Sequence, residues 1–302
     1  MELCLAIDVG GTKMAAGLVS GDGRVVRDAR VPTPRTEDPE AVFGALAELV
    51  FGVLEGDRQP ARPGRKSPVV LCGVGCGGPM SLTEGTVSPL NIPAWRDFPL
   101  RERLACLTGL RVSVDNDAKA FTLGEGWVGV ARGRSDFIGM VVSTGVGGGI
   151  VLEGRMLEGA SGNAGHVGHV IVEPDGRVCG CGARGCLEAE ASGTAIAAVT
   201  GRPASEAPQE VVERTGRLVG RAVASVSALL DLQLAVVAGS VALGFGAPFF
   251  AAANAELQQR ARLSFSSSTC IVPAGLGERG PLVGAGAVGW RCAGHQVLGS
   301  RT

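Results

Sequence analysis

Short apolar runs separated by small and polar residues open the chain: "LCLAIDV", "MAAGLVS" and "RVVRDARV" fall within the first 31 residues. Their length and spacing predict strand, turn, strand, turn, strand, with "GDG" at 21–23 forming a tight hairpin. The pattern then changes period. "DPEAVFGALAELVFGVLEG" places apolar residues at helical spacing, and Asp38 before Pro39 is a natural N-cap. A Pro-, Gly- and Arg-rich stretch at 56–68 reads as a surface loop, "VVLCGVG" as a strand and 100–107 as a helix. "RVSVDND" reads as a strand that delivers Asp115, Asn116 and Asp117 to the start of a helix at 118–130.

A second cycle of the same kind begins at "FIGMVVSTGVGGGIVLEGRML", two apolar strands around a glycine-rich turn. Helices dominate 194–230, "QLAVVAGS" is a buried strand, a helix covers 247–262, "TCIVPA" is a last strand and "LVGAGAVGW" starts a closing helix. Both halves open with strand, Gly-rich turn and strand, then alternate strands and helices. The expectation is a duplicated α/β unit and two domains, which suits 302 residues.

Composition narrows the function classes. Hydrophobic residues make up 45% and charged residues 19%, with 28 Lys plus Arg against 29 Asp plus Glu. Such a balance gives no field for a polyanion, so neither nucleic acid nor a membrane surface is expected as a partner. The N-terminus lacks the charged and apolar regions of an export signal, and the apolar region 222–253 is broken by Asp231, Gln233 and Gly239-Ser240. A cytoplasmic protein is expected. There, nine cysteines read as core residues, metal ligands or nucleophiles rather than a disulfide framework. Cys4, Cys72, Cys106, Cys270 and Cys292 sit singly among small or apolar residues and read as packing, and Cys76 in "GVGCGGP" reads as structural.

"DVGGTK", Asp8 to Lys13, leaves a strand and returns into another. Gly10 and Gly11 allow a sharp fold with exposed amides, and Thr12 and Lys13 add a hydroxyl and a cation, a set suited to phosphate oxygens or simply to a hairpin. Asp8 could hold magnesium through water. "STGVGGGI", Ser143 to Ile150, repeats the pattern with Thr144 and Gly145 at its turn. Neither stretch has P-loop spacing or runs from strand into helix, which disfavours Walker ATPases and dinucleotide folds. Asp117 either caps its helix or accepts the proton of an attacking hydroxyl, with Asn116 holding a neighbouring hydroxyl. Asp115 points the opposite way along the strand and reads as structural. "GHVGHVIVEPDGRVCGCGARGC" supplies His169, Cys179, Cys181 and Cys186, either a set of free thiols beside an imidazole or the ligand set of a closed structural zinc site, which would also fix the ring of His169.

In this order and spacing, "DVGGTK", "NDA", "STGVGGGI", "GHVGH" and "CGCGARGCLEAEASG" resemble the ROK family of sugar kinases, over essentially the whole chain. The resemblance implies an actin-like, ribonuclease H-like ATPase fold of two domains with the sugar in the cleft between them. Residues 1–115 plus a returning helix at about 283–302 would form one domain, and 116–282 with the zinc loop the other. It further implies Asp117 as the base for the sugar's C6 hydroxyl, and Asn116, His169 and Glu188 as partners of the sugar ring. Asp8 to Lys13 and Ser143 to Gly148 become the turns that hold ATP with magnesium, Gly239 and Ser240 the adenosine-side segment, and His169 with the three cysteines the zinc site. Closure of the domains would exclude water, and a homodimer or homotetramer is the implied assembly.

Departures bear on the substrate. "GHVGH" places His166 where glucokinases of the family usually carry Glu, and N-acetylmannosamine kinases commonly show His. A carboxylate only accepts hydrogen bonds, whereas a neutral imidazole has one donor and one acceptor and tolerates an acylamino group at C2. Glucose and an N-acyl hexosamine both remain open as acceptors. Gly77 replaces a proline of the family's "PGP" turn, and "AGS" a glycine triplet. The alternatives are a sugar-responsive regulator, disfavoured by the seven residues before Asp8, and a sugar-binding protein without catalysis, disfavoured by Asp117 and intact turns.

Overall fold

The computed structural model describes residues 1–55 and 67–299, and within them the chain divides into two compact units. The first holds residues 1–132, 159–163 and 276–299, the second 133–158 and 164–275. The loop expected at 56–68 falls, apart from Ser67 and Pro68, outside the described residues.

In the first unit β1 (Leu3–Val9), β2 (Lys13–Ser20) and β3 (Val25–Pro32) form the expected antiparallel meander, with Gly23 at φ +80° closing the hairpin. Helix α1 (Pro39–Glu55) starts where Asp38 Oδ1 accepts the Glu40 amide at 2.9 Å. Next come β4 (Val69–Cys76), the short pair β5 (Met80–Ser81) and β6 (Thr86–Val87), α2 (Leu100–Thr108), β7 (Arg111–Asn116) and α3 (Asp117–Trp127). Strands β1, β4 and β7 run parallel, so the sheet order is β3-β2-β1-β4-β7. Their carboxyl ends bring Asp8, Gly75 and Asp115 into register. Ligands of open α/β sheets bind at such ends.

The second unit contains β8 (Phe137–Val142), β9 (Val146–Leu152), β10 (Arg155–Met156), α4 (Leu187–Ala191), α5 (Gly193–Thr200), α6 (Gln209–Leu230), β11 (Leu234–Ala238), α7 (Ser240–Arg260) and β12 (Cys270–Pro273). Its sheet order is β10-β9-β8-β11-β12, with an antiparallel β8/β9/β10 meander and parallel β8, β11 and β12. The two sheets thus repeat one topology, the duplication expected from the glycine turns. Helix α8 (Gly280–Cys292) returns to the first unit. It lies so close to β4 and α3 that a Cβ on Gly73 would strike Ala285 O, and one on Gly284 would strike Ala120 O.

Several boundaries differ from expectation. The first unit extends past residue 115 to Arg132, with α3 packed on α8 and β4. Helix α3 stops at Trp127, not 130, since the Glu125 carboxylate takes the Val130 amide at 2.9 Å. Helix α7 consists of an unexpected segment from Ser240 and, after the non-helical Gly246 (φ +61°), the expected helix from 247. The closing helix ends at Cys292. Cys4, Cys72 and Cys76 are buried as expected, but Cys106, Cys270 and Cys292 are exposed, placed on the last turn of α2, at the first residue of β12 and at the end of α8. No helix of the described residues is long and apolar enough to cross a membrane.

Candidate functional site

Asp8 lies at the end of β1, and the chain turns through Gly10, Gly11 and Thr12 into Lys13 of β2. The turn is held from within by Gly10 N–H donating to Lys13 O at 3.1 Å, and from β3's end by Thr33, whose hydroxyl and amide donate to Gly10 O (2.6 Å) and Thr12 O (3.0 Å). A Cβ at Gly11 would run into Asn91, so glycine is required there for close approach. Thr12 and Lys13 are exposed, leaving hydroxyl and ammonium available to a ligand.

Asn116, not Asp117, caps α3: its side-chain oxygen accepts from the amides of Ala118 (3.0 Å) and Lys119 (3.4 Å). Asp117 occupies the first helical position, where Oδ1 accepts the Ala118 amide at 2.8 Å. A carboxylate is stabilised at this end of a helix. The capping oxygen of Asn116 is committed to the helix, and its amide nitrogen lies by Gly78, 3.4 Å from where a Cβ there would be. Asp8 and Asp117 meet over Gly75: a Cβ on that glycine would lie 3.8 Å from Asp8 Oδ1 and 3.6 Å from Asp117 Cα. Two acidic groups thus share a floor made of glycine.

That proximity is felt electrostatically. Burial first, and then the Asp117 charge, push the Asp8 carboxyl from 3.8 up to about 7, against smaller opposing pulls from Lys13 and Arg30. Beneath them, burial and the charges of Asp117 and Asp8 push the Cys76 thiol well above its ordinary value, so it is a neutral packing group. Asp115 is structural as expected, its oxygen 3.4 Å from the buried Lys119 ammonium, which also donates to Gly162 O at 3.2 Å. Because the folded Asp8 keeps its proton up to about pH 7 and the unfolded one only to 3.8, the folded state holds the extra proton between those values. Stability therefore falls as pH rises from about 4 through 7. Asp8→Asn is expected to remove that slope and raise the unfolding midpoint at pH 8, checked by thermal melts across pH.

In the second unit the β8–β9 hairpin turns at Ser143, Thr144 and Gly145. Its backbone is clamped from α4 and α5. Ser143 O accepts the Gly193 amide at 2.7 Å, Thr144 O accepts the Thr194 amide (3.3 Å) and hydroxyl (2.9 Å), and the Val146 amide donates to Glu188 Oε2 at 2.8 Å. Gly239, at φ +102°, leads into α7, and the Ser240 hydroxyl lies 3.0 Å from that of Ser143. The two predicted nucleotide segments of this unit therefore come together. Beside Ser240 lies a cavity of about 400 Å³ lined by Ala204, Gln209, Val212, Phe245 and Pro248 among others. Apolar walls with a few polar groups suit a planar ring system.

His166 precedes and His169 ends a single 3-10 turn, Val167–His169, with rings 6.3 Å apart and nearly parallel. Gly165 and Gly168 let that turn press on β9: their absent side chains would meet Gly148 O and Val146 O. His169 Nδ1 sits 3.7 Å from Cys179 Sγ, and Cys181 Sγ is 3.7 Å from Cys186 Sγ. All four ligand atoms lie within 4.8 Å of one another. Across a tetrahedral zinc with bonds of about 2.3 Å, sulfurs are about 3.8 Å apart, so this donor set fits zinc. Glycines and backbone bonds shape the loop. Gly182 at φ +90° turns the knuckle, Cys179 N–H donates to Ala183 O at 2.7 Å, and Gly185 at φ +70° has no room for a Cβ against Glu173 O. With Nδ1 facing the sulfurs, Nε2 of His169 occupies the other edge of the ring.

Asp8, Gly10, Gly11, Thr12, Lys13, Asn116 and Asp117 thus belong to the first unit, and Thr144, Gly145, His166, His169, Cys179, Cys181, Cys186, Glu188, Gly239 and Ser240 to the second. Sequence reasoning missed Thr194, Asn91 and Glu190. The buried Glu190 carboxylate accepts the Arg177 amide (2.6 Å) and the Arg214 guanidinium (2.7 Å), tying the cysteine loop to α6. Only Glu190 left a trace, as the second acidic residue of "LEAEA".

The family model described as "ROK family" matches residues 4–290. A glucokinase of Thermotoga maritima is 40% identical over 194 residues, 64% of this chain and 58% of that protein. An N-acetylmannosamine kinase of Escherichia fergusonii is 38% identical over 260 residues, 80% of this chain and 84% of that one. The crystal structure of a ROK family glucokinase from Streptomyces griseus in complex with glucose and AMPPNP is 30% identical, covers 96% of this chain and 99% of its own, and superposes with a TM-score of 0.80. The repeated sheet topology, the paired glycine turns and this match over nearly the full length lead to one conclusion: the chain belongs to the ROK family and has its actin-like ATPase fold.

Proposed function

We propose that the chain is an ATP-dependent hexose kinase that phosphorylates the C6 hydroxyl of an aldohexose, glucose or an N-acyl hexosamine such as N-acetylmannosamine. The observation that carries this reading is the pair Asp8 and Asp117, set over Gly75 at the carboxyl ends of parallel strands and beside a glycine turn with an exposed hydroxyl and ammonium. The relative crystallised with glucose and AMPPNP supports the substrate classes.

In this mechanism Asp117 accepts the proton of the C6 hydroxyl, and the oxygen attacks the γ-phosphorus in line as the bond to the bridging oxygen of ADP breaks. The Asn116 amide and the ring nitrogens of His166 and His169 orient the sugar, and Glu188 adds an acceptor. Backbone amides of the turns after Asp8 and Ser143 hold the phosphates, Thr12 and Lys13 assist, and Gly239-Ser240 with the adjoining cavity takes the nucleoside. Magnesium, when bound with the triphosphate, neutralises charge on the β- and γ-phosphates, and Asp8 is the residue that would hold it through water. Zinc, when bound by His169, Cys179, Cys181 and Cys186, supplies a closed anchor with no open position for a reacting water.

His166 decides between the two acceptors. His166→Glu is expected to raise kcat/KM for glucose relative to N-acetylmannosamine by about tenfold or more, the scale of exchanging one hydrogen-bonding partner. Product analysis for hexose 6-phosphate across both sugars tests this. An unchanged ratio would mean that His166 does not contact C2, and no 6-phosphate from either sugar would remove the proposed activity.

A further inference from the structure

One contact in the second unit does not fit a residue whose only duty is to touch sugar. Glu188, on the first turn of α4, spends one carboxylate oxygen on the Val146 amide, 2.8 Å away and 42 residues back in the chain. Val146 is the first residue of β9, immediately after the Ser143–Gly145 turn. A second observation shows how close the carboxylate lies: a Cβ on Gly145 would approach Glu188 Oε2 to 2.7 Å. The turn and the carboxylate are therefore in close contact, and a side chain at 145 would have to displace the Glu188 carboxylate.

The carboxylate is held in place from both ends of its helix. Cys186 precedes α4, and the Leu187 amide donates to Val170 O at 2.9 Å. Two residues beyond Glu188, the buried Glu190 is fixed by Arg177 and Arg214. Five residues of helix thus carry one acidic side chain locked to the loop and α6, and another aimed at the turn. On the far side of the same residue, Val146 O is pressed by Gly168 of the histidine turn. Val146 is gripped from its amide side by Glu188 and from its carbonyl side by Gly168.

From this we infer that Glu188 is a positioning residue for the Ser143–Val146 turn, ordering the phosphate-binding backbone whether or not sugar is present. The inference rests on the reading of that turn as a nucleotide site and adds to it a linkage: the carboxylate that contacts the acceptor also shapes the donor's cradle. An amide that loses its fixed acceptor is free to re-aim, and the neighbouring turn amides go with it. Glutamine keeps an acceptor oxygen at the same reach and should hold the turn, whereas alanine cannot.

The test is nucleotide binding without sugar, using Mg-AMPPNP and isothermal titration on the wild-type chain, Glu188→Ala and Glu188→Gln, with amide hydrogen exchange over 143–147 followed in parallel. Glu188→Ala is expected to weaken AMPPNP about tenfold and to speed exchange in that segment, while Glu188→Gln stays within about twofold of wild type on both readouts. Equal AMPPNP affinity and equal exchange in all three chains would overturn the positioning role and leave Glu188 a sugar contact alone. Loss of binding in Glu188→Gln equal to that in Glu188→Ala would also overturn it, since charge rather than the hydrogen bond would then be at work. A wild-type chain that binds no AMPPNP would instead remove the nucleotide reading beneath it, and the exchange measurement would still report on the contact itself.

Discussion

Asp117→Asn should lower kcat for hexose phosphorylation by about 10²–10⁴-fold, the range for removing a general base, while sugar affinity changes little. The structural cost of this substitution is small. The introduced carboxamide retains an oxygen able to accept the Ala118 amide, which Asp117 Oδ1 now does at 2.8 Å, and the cap proper is Asn116. What is lost is the negative charge and the capacity to take a proton. The same change carries an electrostatic signature away from the reaction. Since the Asp117 charge is the second cause raising the Asp8 carboxyl, Asp8 in the variant should titrate below its present value of about 7. Single-turnover kinetics with sugar binding measured separately checks the first effect, and carboxyl titration followed by NMR checks the second. A variant that keeps full kcat would place the base elsewhere.

The second large effect concerns the His169, Cys179, Cys181 and Cys186 cluster. Wild-type protein is expected to carry about one zinc per chain. Cys179→Ser, which replaces a buried ligand, should abolish that stoichiometry and lower the unfolding midpoint by on the order of 10 °C, as removal of a structural zinc destabilises the loop that it closes. The physical reason is local. Loop 169–186 contributes few apolar side chains to the core, and Val178 and Ile171 within it are exposed, so polar backbone bonds and the Glu190 clamp carry its order, to which a bound zinc would add a further tie. Metal analysis and calorimetry, with a strong chelator on wild type as the matching arm, test this. A zinc-free wild type of unchanged stability would reduce the cluster to a set of free thiols.

Much of this architecture was legible in the chain because its signals are local. Short apolar strands, glycine turns and a capped helix each span fewer than about twenty residues, and His169, Cys179, Cys181 and Cys186 lie within 18 residues of one another, so one loop suffices to gather them. What escaped was set by distant partners. Helix α3 ends early because Glu125 reaches past it to the Val130 amide, a choice no propensity encodes. Ahead of the expected helix, "SVALGF" forms a further helical segment on which Val241 and Ala242 are buried, and the chain breaks at Gly246 before the helix resumes with Pro248 in its first turn. The capping role fell to Asn116 and not Asp117 because the carboxylate is already at the first helical position, a one-residue shift that spacing alone does not resolve. Glu188 was legible as a polar residue of the site, but its bond to Val146 joins positions 42 apart and needed the fold.

Hexose-dependent release of ADP from Mg-ATP tests the central claim most directly, measured for glucose, mannose, N-acetylmannosamine, N-acetylglucosamine, fructose and allose on the wild-type chain and Asp117→Asn side by side. The account predicts strong release with glucose or N-acetylmannosamine, one ADP per sugar phosphate formed, and release about 10²–10⁴-fold slower in the variant. Absent or sugar-independent release from folded, metal-replete wild-type protein would contradict it.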